Sequence, residues 1–195
     1  MTKSRRSTSR QQDQVSSIFK PTQILLDEQF LLCASGQGCD SKSNICEDEK
    51  IEDRELNAIE ALLAAYRTKV ALVIDEPQFG QPSRVRQFYN NYLKRFQERR
   101  SGQTPIAAKV LGRWLSGRNG RLVQYKLPRT SKVNPQALEA CNLKAGTLDP
   151  LLCELAIMCR GDAPVWTLDS DLWCASQFYS EIKPTCPAAA LASVR

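Results

Sequence analysis

Short unbroken apolar runs alternate along this chain with longer stretches in which apolar residues recur every three or four positions. Gln23 to Leu26 is one such run and ends at Asp27; Val70 to Ile74 is another and ends at Asp75 and Glu76. Brief apolar runs bounded by polar residues predict buried strands. Leu122 to Leu127 and Pro164 to Thr167 read the same way, and the latter leads into Asp169 and Asp171. Helical spacing fills the intervals. Asp53 to Tyr66 places Leu56, Ile59, Leu62, Leu63 and Tyr66 on one side behind an acidic first turn, as helix N-termini favour. Ser83 to Arg99 is a basic helix whose apolar side is Val85, Phe88, Tyr89, Tyr92 and Phe96. Helices are also expected over Pro105 to Leu115 and over Pro135 to Leu143. The second has Asn134 as its cap and Pro135 at its first position, both favoured there. Asp149 opens the clearest helix, with Leu151, Leu152, Leu155, Ala156 and Met158 apolar and Gly161 as the stop. Ala34 to Asn44 and Pro77 to Pro82 carry loop and turn residues.

Strands alternating with helices predict an α/β fold: a three-layer architecture with a mainly parallel central sheet and helices on both faces. Residues 18–182 make up the expected domain. Residues 1–17, rich in Ser, Gln and Arg, read as a disordered basic tail, and 183–195 as a flexible C-terminal tail. Ligands of parallel sheets bind at the carboxyl ends of the strands. Asp27, Asp169 and Asp171 fall at predicted strand ends, and Asp149 at a helix start facing the same edge.

Composition narrows the chemistry. The 195 residues include no histidine, which excludes Ser-His-Asp and Cys-His triads and histidine metal ligands. No Gly-rich loop follows a strand, so dinucleotide enzymes and kinases are not expected. No apolar run reaches the ~18 residues of a membrane span. Met1 to Gln14 is basic and polar with no apolar stretch behind it, unlike a secretory signal. A cytoplasmic location follows as the expectation, with the eight cysteines reduced and structural. None of them has the close spacing of a zinc knuckle. Charge is segregated. Asp27 to Glu76 holds 12 acidic and 5 basic residues, whereas Arg84 to Lys132 holds 13 basic residues and one acid, Glu98. The basic stretch is an electrostatic footprint for a polyanion, with Arg84, Arg86, Lys94, Arg95, Arg118 and Arg121 as candidate nucleic-acid contacts. The acidic half would equally suit docking of a basic protein partner.

Asp149-Pro150, an apolar helix, Gly161, a short strand and then Thr167-Leu168-Asp169-Ser170-Asp171-Leu172-Trp173 together resemble the C-terminal half of the PIN-domain ribonucleases. Ile24-Leu25-Leu26-Asp27 is similar to that family's first strand and first catalytic Asp. Ala34-Ser35-Gly36, Cys39, the helix around Ile59 and Ala71-Leu72-Val73-Ile74-Asp75 resemble a bacterial branch of PIN-like proteins. The likeness runs from about Gln23 to Phe178. It implies metal-dependent hydrolysis of RNA. Asp27, Asp149 and Asp169 would be catalytic residues and metal ligands, Asp171 a further metal-binding acid, and Mg²⁺ or Mn²⁺ the cofactor, since hard ions take oxygen ligands. It leaves room for an antitoxin or other protein partner and for a homo-oligomer. One position departs from the pattern. Gln87, in Arg86-Gln87-Phe88-Tyr89, stands where the branch has a Glu, and a neutral amide holds a metal weakly. Asp75 and Glu60 are the acids left to substitute. The alternative is a non-catalytic nucleic-acid-binding or scaffold protein on the same fold. Trp166 and Trp173 are expected as packing residues rather than base platforms.

Overall fold

The computed structural model describes residues 20–37, 45–46, 49–97, 104–117 and 121–195. The 1–17 tail expected from composition lies outside them. Five parallel strands form one open sheet: β1 (Gln23–Leu26), β2 (Ala71–Asp75), β3 (Leu122–Tyr125), β4 (Val165–Trp166) and β5 (Pro184–Thr185), in the order β3-β2-β1-β4-β5. The sheet is wholly parallel, as the apolar runs require. Ile24, Leu25 and Leu26 are fully buried and every residue of β2 is buried, as befits strands covered on both faces.

Among the described residues, eight helices connect and cover the strands: α1 (Glu28–Cys33), α2 (Ile51–Arg67), α3 (Arg84–Gln97), α4 (Ile106–Leu115), α5 (Pro135–Ala140), α6 (Asp149–Met158), α7 (Ser170–Ala175) and α8 (Pro187–Val194). They fall into two packed sets. In one, α2 touches α1, α4 and α8, and α4 touches α3; in the other, α7 touches α5 and α6. Such a division is what the general rule of right-handed crossovers produces for this strand order. The path β1→β2→β3 moves one way across the sheet, and β4 and β5 then build on the opposite side of β1. The reversal lies between β1 and β4, where doubly wound sheets hold their ligands.

Four elements differ from the sequence expectation. Residues 183–195, expected as a flexible tail, supply β5 and α8. Pro187, Ala190, Leu191 and Val194 of α8 are buried, and the helix lies along α2. Small alanines made that apolar stripe weak in sequence. The short helices α1 and α7 also went unforeseen, being too brief to show a period.

The cysteines differ as well. Cys46 is bonded to Cys186 and Cys141 to Cys174, with Cα–Cα distances of 6.0 and 5.4 Å, inside the usual range. Cys33 is also disulfide-bonded. Free thiols among the described residues are Cys153 and Cys159, both buried; burial pushes them up to about 12 and about 11, so neither is a reactive thiolate. No described helix is long and apolar enough to cross a membrane.

Between β2 and α3, Gln78 and Gln81 pair across a tight turn, Gln78 N–H donating to Gln81 O at 3.0 Å and Gln81 N–H to Gln78 O at 2.8 Å. Its central residues, Phe79 and Gly80, have φ of 52° and 75°. Two-residue hairpin turns of this hand need positive φ at both positions. Glycine accepts that freely, whereas a bulky Phe there costs about 1 kcal/mol. Phe79 is nonetheless 79% exposed.

Candidate functional site

The acids predicted at strand ends do converge on one edge of the sheet. β1 pairs with β4 through Leu25↔Val165 and Leu26↔Trp166, so the next step brings Asp27 level with Thr167. The Thr167 hydroxyl donates to Asp27 Oδ2 at 2.8 Å and accepts from Asp169 N–H at 2.8 Å. Asp169 caps α7, its Oδ1 accepting from Asp171 N–H at 2.8 Å. One buried threonine therefore fixes the first acid against the turn that carries the third and fourth. Thr167 stands in the sequence motif, but only the strand register reveals its partner.

Asp149 enters from the first turn of α6, where the macrodipole favours a negative charge. It is not the helix cap, which is Leu148; it accepts from the Thr147 hydroxyl at 3.5 Å. Asp171 Oδ2 accepts from Asn142 Nδ2 at 3.3 Å. Behind the cluster, the buried Tyr89 hydroxyl of α3 donates to Leu26 O at 2.6 Å and holds the end of β1. Burial raises its own titration, with Asp27 and Asp75 adding to the effect.

The electrostatics are those of crowded like charges. Asp27 is only 2% exposed. Burial first, and then the Asp149 and Asp169 charges, push it up to about 8 against the opposing Thr167 hydrogen bond. Asp149 is pushed up to about 6 by burial and by Asp169 and Asp171. Asp169 is raised by burial, with Asp171 adding to it. Among the described residues no Lys or Arg forms an ion pair with any of the four; the two pairs are Arg95–Glu28 and Arg195–Glu60. As they are placed, no three described Asp, Glu or Cys side chains form a ready metal cage. The donor set itself is all carboxylate oxygen, which suits a hard divalent ion.

Neither acid considered as a substitute at Gln87 joins the cluster. Asp75 is level with Asp27 if the β1–β2 register, Gln23↔Ala71 and Ile24↔Leu72, is continued. Its oxygens are committed to the start of α3: Oδ1 accepts from the Ser83 hydroxyl at 2.6 Å and Val85 N–H at 2.9 Å, and Oδ2 from Arg84 N–H at 2.8 Å. Asp75→Ala is expected to lower stability by about 2 kcal/mol in urea melts; an unchanged midpoint would remove this capping role. Glu60 pairs with Arg195. Gln87 is exposed and donates to Pro82 O at 3.2 Å.

Among the described residues, the candidate basic contacts differ in their surroundings. The Arg86 side chain donates to Leu115 O at the end of α4. Arg121 stacks on the Tyr66 ring at 4.2 Å, with Nε and Nη1 buried and unpartnered. Arg95 pairs with Glu28, next to Asp27. Arg84 and Lys94 are exposed, and Arg118 lies outside the described residues. Trp166 is fully buried against Phe30, ring centroids 5.4 Å apart, a packing role; Trp173 is partly buried. At the ends of β2 and β3 opens a cavity of about 490 Å³ whose lining includes Asp75, Phe79, Arg84, Arg129 and Glu154. Its signal in the sequence was an aromatic set in a polar turn. Compared with family models, curated proteins and solved structures, the chain matches none.

Proposed function

We propose that Asp27, Asp149, Asp169 and Asp171 form the divalent-cation site of a nuclease that hydrolyses RNA phosphodiesters. The observation that carries this reading is the cluster itself. Carboxylates from three distant parts of the chain meet at the reversal point of a parallel sheet, and one of them is buried without a cationic partner among the described residues. Such an arrangement is costly unless a cation compensates it. Asp27, Asp149 and Asp169 would hold Mg²⁺ or Mn²⁺, with Asp171 supporting; a bound ion supplies charge neutralisation and a more acidic water. The chain's own part is positioning. Thr167 orients Asp27 and braces Asp169, and Tyr89 anchors the strand end that carries Asp27. The likeness of these motifs to PIN-domain ribonucleases supports the choice of RNA.

Gln87 favours a second reading, a non-catalytic nucleic-acid-binding or scaffold protein on this fold. Calorimetry with Mn²⁺ and cleavage of structured RNA separate the two. The nuclease reading expects metal binding and cleavage by the natural protein. In Asp149→Asn both should fall by at least ~100-fold, since loss of even a supporting partner of a metal ligand costs 10–100-fold. RNA binding without cleavage in either protein supports the scaffold. As to compartment, the disulfide-bonded cysteines favour an oxidising one over the cytoplasm expected from sequence.

A further inference from the structure

The cavity of about 490 Å³ at the ends of β2 and β3 lies in the size range of small-ligand sites. Its lining is a mosaic. Phe79 stands 79% exposed on the tight turn, held outward by a left-handed backbone. The Arg129 guanidinium lies over the Phe79 ring, 5.9 Å from its centroid. Arg84, at the start of α3, is exposed beside them. Glu154 of α6, the helix that Asp149 opens, also lines the cavity. Asp75 also borders the cavity, but its oxygens are used in capping α3.

An occupant complementary to this lining carries a flat π face for Phe79, an anion for the arginines and N–H donors for a carboxylate. A nucleotide has all three, because bases stack on aromatic rings and their amino groups donate to Glu side chains. A base held in a duplex keeps both faces stacked, so the nucleotide must be unpaired. We propose that this cavity binds an unpaired nucleotide of a single-stranded RNA, its base stacked on Phe79 and its phosphate held by Arg84 and Arg129. The proposal rests on the nuclease reading and adds to it the strand that is presented. Continuing the β1–β2 register puts Asp75, on the cavity wall, one strand from Asp27, a spacing of about 5 Å. The four carboxylates are not themselves part of the lining, and the register sets the cavity one strand away from the first of them.

The test is fluorescence anisotropy with a labelled single-stranded RNA octamer of mixed sequence, in EDTA. Matched duplex RNA and a mononucleotide serve as competitors. Phe79→Ala is expected to weaken octamer binding by about tenfold, the scale of one lost base stack, and Phe79→Tyr to preserve it. Arg84→Gln and Arg129→Gln should each lower the salt slope by about 0.7. Equal binding by Phe79→Ala, or competition by the mononucleotide or duplex as strong as by unlabelled octamer, would overturn the proposal. Phe79 is too exposed for its loss to unfold the core, and a thermal melt of each variant checks this. EDTA makes the assay independent of metal. Octamer binding that depends on Phe79, without cleavage when metal is added, refutes only the nuclease reading; cleavage without dependence on Phe79 refutes only this cavity.

Discussion

Asp27→Asn is expected to stabilise the metal-free protein at pH 8 by on the order of a few kcal/mol relative to its effect near pH 4. The sign follows from the direction of the shift. Asp27 sits at about 8 in the folded protein against 3.8 as the ordinary value, so between those limits the folded state holds a proton that the unfolded chain has released. Stability from this group is complete below pH 4 and drains away as pH rises towards 8. Asp149, at about 6, drains in the same direction over a narrower window. Asn resembles the protonated acid: its carbonyl still accepts from Thr167, and it never takes a charge. Urea melts of both proteins from pH 4 to pH 8 measure the effect. Parallel stability profiles would show that Asp27 is ionised and compensated in the folded protein. Saturating Mn²⁺ should then reverse the order at pH 8, stabilising the natural protein and leaving Asp27→Asn unmoved. Binding should also release protons, so the calorimetric heat should change with the ionisation enthalpy of the buffer.

Cys186→Ser should cost about 3–5 kcal/mol. The Cys46–Cys186 bond spans a sequence separation of 140 residues, and closing a loop of that size removes much of the unfolded chain's entropy. The bond also holds α8 in place. Cys186 caps the start of that helix, and Ala188 N–H donates at 3.2 Å to Glu49, whose other oxygen accepts from Asn57 Nδ2 at 2.7 Å. Arg54 donates to Cys46 O at 2.9 Å, fixing the other end. Losing the bond should loosen the seam between α2 and α8 before the central strands. Urea melts with and without reductant test this. The natural protein should fall towards the variant's midpoint when reduced, and the variant should shift less. A midpoint indifferent to reductant would mean that these thiols are not paired in solution, and would return the protein to a reducing compartment.

The local pattern of the sequence was enough for β1, β2 and α6, because their signals are dense. Each strand is an unbroken apolar run, and α6 has an acid at its start and Gly161 after its end, with φ of 74°. The Asn134 cap was legible for the same reason: its side chain accepts from Gln136 N–H at 2.8 Å, a contact made within three residues. The C-terminal segment was not legible. An Ala-rich helix buries little area per residue, so α8 shows its apolar face only once α2 is present to cover it.

The candidate site divides along the same line. Its residue types, and their places at strand ends and a helix start, came from the sequence alone, and so did the exclusion of histidine chemistry. The tertiary structure decided which acids meet, because Asp27 and Thr167 are 140 positions apart and join only through the β1–β4 register. It also assigned Asp75 to capping α3 and turned Arg86 and Arg121 to internal contacts. Local propensity acts over a few residues and is written in neighbouring side chains. Charge crowding, strand register and disulfide pairing depend on distances that exist only after the chain has folded back on itself.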